Sequence, residues 1–154
     1  MHMKYQSKRY GYSLEIPNEW IRRRRKPFSM VRGVTVSYES PERDTCITAS
    51  VGILEEEEWS DKYARRWALR DFSEVLRRMP NSVKVEHFSE SRPFYLDREE
   101  NTLQYYYVGS SISGRLISSF HNGFGYVIQS RCRRNWDIID KIIDSFKFGT
   151  SEDR

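Results

Sequence analysis

Asn122 and Gly123 stand between two apolar runs in "RLISSFHNGFGYVIQS". A two-residue turn that reverses a strand needs positive φ at both central residues, and Asn followed by Gly tolerates this best. The stretch therefore predicts an antiparallel hairpin, and with it a fold built on neighbouring antiparallel strands. The same two-residue period recurs along the chain. In "YGYSLEIP" (10–17), Tyr10, Tyr12, Leu14 and Ile16 fall on one side and Ser13 and Glu15 on the other, the pattern of a half-buried strand. Pro17 ends it, Asn18 suits a turn, and Trp20 and Ile21 open a second extended piece. "GVTVSYES" alternates through Val34, Val36 and Tyr38. "TCITASVGIL" sets Ile47, Ala49, Val51 and Ile53 against Cys46, Thr48 and Ser50. With "SPERD" between them, these two segments predict a second hairpin. "SVKVEHF", "RPFYL" and "TLQYYYVG" continue the strands, with the polar loop "DREEN" before the last.

Two segments change period. Trp59, Tyr63, Trp67, Ala68, Phe72, Val75, Leu76 and Met79 recur every three to five residues, a helical stripe over 60–79. Acidic residues lead it and Arg77 and Arg78 trail, matching the helix dipole, and Pro80 stops it. "NWDIIDKIIDSFKF" places Ile138, Ile139, Ile142, Ile143 and Phe146 on one helical face, with Asn135 as N-cap. Strands, helix, strands, helix in that order predict an antiparallel sheet with helices packed on it.

At 154 residues the chain fits one domain, 1–154, with an ordered core of about 5–149, large enough to bury roughly 68–70% of its unfolded surface. The opening "MHM" can be a cloning remnant. No apolar run approaches the ~20 residues of a membrane helix. The chain as it stands reads as cytoplasmic; an export signal ahead of it would place it in the cell envelope. Cys46 and Cys132 are too few for a disulfide framework and are expected as buried thiols.

Catalytic and metal signatures are missing from the sequence. His87 and His121 have no partner at a recognisable spacing, and with the two cysteines they form no metal pattern. There is no serine elbow, dinucleotide fingerprint or phosphate loop. "GSSISG" (109–114) follows a strand and reads as a loop. Asp97, Glu99 and Glu100 in "DREEN" lack the glycine and spacing of a calcium loop and read as a solvated turn. One side of the run Tyr105, Tyr106 and Tyr107 is expected in the core; the other lies under a helix or forms an exposed aromatic surface, with packing the favoured reading. No enzyme activity and no cofactor are expected.

The charge is uneven. Residues 1–53 carry +5, residues 54–79 carry −1 and residues 80–154 carry none. The excess is the run Arg22, Arg23, Arg24, Arg25 and Lys26. Three readings compete for it. As an edge strand, its long cations deter edge-to-edge aggregation. As a docking patch, it meets an acidic protein partner. As a polyanion contact, it binds nucleic acid or anionic lipid, although nucleic-acid modules usually spread charge over a whole face. Glu55, Glu56, Glu57 and Glu58 could pair with it. Because side chains alternate along a strand, the arginines cannot all face one way, and the run is expected on a solvated edge. These five residues are the candidate partner-binding patch.

"YGYSLEIPNEW" resembles the opening of PsbP-like domains, in which an aromatic strand runs into a Pro–x–x–Trp turn. "GFGYVIQS" followed by "IIDKIIDSFKF" resembles their closing strand and final helix. The resemblance spans nearly the whole chain and implies the Mog/PsbP fold. The expected class is then α+β, a central antiparallel β-sheet flanked by helices on both faces as an α/β/α sandwich. Members include an extrinsic photosystem II subunit, bacterial envelope lipoproteins and a nuclear-transport factor that binds Ran. The resemblance implies a non-enzymatic accessory or binding module with a protein partner, and it maps no binding residue onto this chain.

Overall fold

The Asn122 and Gly123 turn forms with φ of 50° and 81°, and it joins two nine-residue strands in register, His121 opposite Phe124 and Ile117 opposite Ile128. A Cβ on Gly123 would meet nothing within 4 Å, so only the backbone resists substitution there. Gly123→Ala is expected to cost about 1 kcal/mol in urea unfolding. No loss would show that the turn relaxes to a type open to alanine.

The computed structural model describes residues 2–24, 33–53, 87–89, 94–108, 112–133 and 136–149. The strands are β1 (His2–Ser7), β2 (Tyr12–Pro17), β3 (Ile21–Arg23), β4 (Gly33–Glu39), β5 (Thr45–Ile53), β6 (His87–Ser89), β7 (Thr102–Val108), β8 (Ser113–His121), β9 (Phe124–Cys132) and β10 (Lys147–Phe148), and the helix is α1 (Trp136–Asp144). A seven-stranded sheet runs β3-β4-β5-β9-β8-β7-β6 and a three-stranded sheet runs β1-β2-β10. Every pairing is antiparallel.

This corrects the expected central sheet flanked by helices on both faces. The described residues are mostly strand, with one helix and two sheets. The layer over the core face is itself a sheet, with α1 beside it. "YGYSLEIP" does not join the large sheet. It pairs with β1 on one side and β10 on the other, so its apolar side turns toward the large sheet across the core. A two-residue period tells which face a strand buries and not which strands lie beside it. The helix expected over 60–79 and the N-cap Asn135 lie outside the described residues.

Ring contacts align the two layers. Tyr5 of β1 lies 6.2 Å from Tyr38 of β4, Tyr12 of β2 lies 5.7 Å from Tyr126 of β9, and Phe148 of β10 stacks at 4.0 Å on His121 of β8. Leu14, Ile16, Ile47, Ile117, Ile128 and Ile139 fill the space between. Burial pushes the Tyr12 and Tyr126 hydroxyls well above their ordinary titration range, and the Tyr126 hydroxyl donates to the Tyr10 carbonyl.

Helix α1 carries Asp137 in its first turn and Lys141 in its last, as the helix dipole favours. It buries Ile139, Ile142 and Ile143. Phe146 lies beyond its end. The Ser145 hydroxyl donates to the Ile142 carbonyl at 2.6 Å, the chain turns, and Phe146 enters the core from the loop. The opposite face of the large sheet is also buried, with hydroxyl pairs Thr35 with Ser50 and Ser37 with Thr48, each at 2.9 Å.

Candidate interaction edge

Several groups that the sequence singles out for chemistry, Cys46, Cys132, His121, Glu99 and Asp97, are buried or held by structural contacts. Cys46 and Cys132 are both buried thiols. Thr45 is opposite Cys132 and Cys46 is opposite Arg131, so the two sulfurs point to opposite faces of the sheet and do not bridge. Among the described residues, no three His, Cys, Asp or Glu side chains gather as a metal site. His121, which has no partner at a recognisable sequence spacing, places Nδ1 2.8 Å from Glu99 Oε1. The other Glu99 oxygen accepts the Asn101 N–H at 3.0 Å. Asp97 accepts the Phe148 N–H at 2.8 Å and lies 3.4 Å from the Lys147 ammonium. The polar turn is therefore a clamp that ties the 94–101 loop to β8 and β10, and of its three carboxylates only Glu100 is exposed.

Arg115 is a residue the sequence reading missed. It sits on β8, on the same side as Ile117, and is only 6% exposed. Its Nε and Nη2 donate to Gln104 Oε1, the first at 2.8 Å. Its Nη1 donates to Asp140 of α1 at 2.8 Å. The guanidinium also lies 5.0 Å from the Phe94 ring and 5.6 Å from the Tyr106 ring. The available signal was a cation two positions before Ile117, on the side of the hairpin strand that turns inward. This cluster fastens α1 to the large sheet, and its charge is fully engaged.

The basic run lies elsewhere. Among the described residues, strand β3 is the edge of the large sheet and pairs with β4 alone. Arg22 is opposite Tyr38 and Arg23 opposite Ser37, so the two side chains take opposite faces. Arg23 meets the buried Glu39, Nε to Oε1 at 3.4 Å. Arg22 is exposed and lies 5.7 Å over the ring of Tyr5, which itself contacts Tyr12 and Tyr38. Burial pushes the Tyr38 hydroxyl up, and the Arg22 charge pulls against that rise. Arg24 follows, exposed. Among the described carboxylates, none pairs with Arg22 or Arg24. Arg25, Lys26 and the acidic run 55–58 lie outside the described residues.

Strands β1, β3 and β4 also carry exposed apolar side chains. Met3 of β1, Ile21 of β3 and Val34 of β4 are exposed, at 38%, 43% and 43%. Only Tyr95 is more exposed among the large hydrophobic residues described. Since β1 is the edge of the small sheet and its Tyr5 touches both Arg22 and Tyr38, the open edges of the two sheets lie on one side of the sandwich.

No protein-family model matches the sequence, and no curated protein matches it significantly. Solved structures do. Cyanobacterial PsbP (CyanoP) from Synechocystis superposes with a TM-score of 0.65 at 16% identity, over 96% of this chain and 92% of that one. The Ran-binding protein Mog1p of Saccharomyces cerevisiae matches with a TM-score of 0.56 at 8% identity, over 96% and 95%. The chain has the PsbP/Mog fold. A Bacteroides thetaiotaomicron protein shares it with a TM-score of 0.54 at 8% identity, over 97% of this chain and 49% of that one. At these identities the PsbP/Mog fold carries the arrangement of strands across and transfers no site residue. No helix among the described residues is long and apolar enough to cross a membrane.

Proposed function

We propose that this chain is a non-catalytic binding module that meets an acidic protein partner at the β3 edge. One observation carries the reading. Within the basic run, Arg23 is engaged by Glu39, whereas Arg22 and Arg24 are exposed, and the apolar Ile21 next to Arg22 in the same strand is exposed too. Edge protection alone asks for charge and gives no reason for apolar neighbours. A polyanion asks for charge over a broad face, and residues 80–154 carry no net charge. A mixed apolar and cationic patch fits a protein surface, since arginine is enriched and lysine depleted at such interfaces. The likeness to a Ran-binding protein supports a protein partner.

Replacing both Arg22 and Arg24 by serine is expected to change stability by no more than about 0.5 kcal/mol per site. In fluorescence anisotropy at physiological salt, an acidic peptide should bind the parent more tightly than an oligonucleotide of equal charge. The double variant should lose roughly tenfold in peptide affinity, mainly through slower association with a flatter salt dependence. Tighter binding of the oligonucleotide would favour a polyanion partner. Binding of neither would return the run to edge protection.

A further inference from the structure

We infer that the occupant of this edge is an extended acidic segment that adds to β3 as a further strand, and that it carries the pattern acidic, any residue, acidic, apolar. The inference rests on the proposed function and specifies the chemistry of its partner. Among the described residues β3 pairs with β4 alone, so its other side offers a row of backbone donors and acceptors. An incoming strand satisfies them by main-chain hydrogen bonds, while its alternate side chains read the edge.

The pattern follows from the side chains along β3. Arg24 directly follows β3, and a partner strand that extends β3 by one residue places Arg22 and Arg24 on the same face. An antiparallel strand places residues directly opposite, on the same face, and opposite charges there attract. Carboxylates two positions apart on the partner therefore face Arg24 and Arg22. The residue between them faces Arg23, which Glu39 already engages, so its identity is open. The next residue faces Ile21, 43% exposed, and is apolar. Arg22 needs little ordering, because its guanidinium rests over the Tyr5 ring. The same arginines oppose pairing between two copies of this edge, since like charges would stand together. That repulsion selects an acidic strand over a second copy of the chain.

The test uses the full chain and a labelled peptide, Gly-Thr-Val-Glu-Thr-Glu-Val-Thr-Gly, in which Glu-Thr-Glu-Val lies opposite Arg24, Arg23, Arg22 and Ile21. Three peptides accompany it. One has the two glutamates adjacent, which sends one of them to the far face. The other two carry backbone N-methyl groups on alternate residues, in the two possible phases. In a strand, alternate residues direct their N–H groups to the same side. One methylated peptide should therefore lose affinity by roughly tenfold or more and the other should keep it, the size expected when an added strand loses hydrogen bonds. The peptide with adjacent glutamates should bind several-fold more weakly. Equal binding of all four would overturn the strand-addition inference while leaving an acidic partner in place. Binding of none would overturn both.

Discussion

Phe146→Ala lowers the free energy of unfolding by about 3–5 kcal/mol, the range for removing a large ring from a core. Phe146 is 1% exposed and sits where every layer meets. It stacks on Tyr12 of the small sheet at 5.4 Å with 14° between the rings. It meets Tyr126 of the large sheet edge-on at 6.0 Å and Phe148 of β10 at 4.9 Å. The position follows the end of α1, so the chain on both sides is held and cannot collapse into the space left behind. Interiors are packed closely enough that such a void loses contacts outright. Phe146→Leu keeps most of the volume and is expected to cost about half as much. Urea unfolding followed by tyrosine fluorescence measures both. A loss below about 1 kcal/mol for Phe146→Ala would mean that the two sheets do not depend on this ring cluster for their packing.

Arg115→Ala is expected to cost about 3 kcal/mol. Removing one member of a fully buried pair costs about 3–5 kcal/mol because the other is left unpaired. Here Asp140 has 51% of its side chain exposed and can turn to water, which holds the loss to the lower end. Gln104 cannot do the same. It is 7% exposed, its Oε1 loses two donors, and a buried acceptor without a partner costs about 1–3 kcal/mol. The contacts with Phe94 and Tyr106 add to the loss. Arg115→Met keeps the apolar stem against those rings and separates packing from charge. It is expected to recover part of the loss and not all of it. A methionine variant as stable as the parent would show that the guanidinium and its partners contribute no net stability.

The inward face of β2 was legible from sequence. Tyr12, Leu14 and Ile16 are buried and Glu15 is exposed, because strand periodicity is a local property of the backbone; Ser13, expected on the outer side with Glu15, is buried as well. The hairpins between β4 and β5 and between β8 and β9 were legible for the same reason. A turn is decided by the φ values its own residues tolerate, as at Asn122 and Gly123. Of the basic run, Arg22 and Arg23 lie in the edge strand β3, as expected of an extended segment. The division of the run was not legible, because Arg23 is engaged by Glu39, a residue of the neighbouring strand.

What the sequence by itself determined about this protein was most of its large-sheet strands, β2, and the turn at Asn122 and Gly123. Strands β1 and β10 were not legible, and "RPFYL", expected as a strand, is loop at Phe94 and Tyr95 with an isolated bridge at Leu96. Tertiary structure alone decided which strands share a sheet. It brought β10 beside β2, joining residues far apart in the chain, as when Ser145 receives the Glu15 N–H across 130 positions. It also decided the fate of the polar groups. Arg115 is tolerated in the core because Asp140 arrives from 25 residues away, and His121 meets Glu99 across 22. The physical reason is common to these cases. Periodicity and turn chemistry act over a few residues, whereas the cost of burying a charge depends on whatever partner the fold brings within hydrogen-bonding distance.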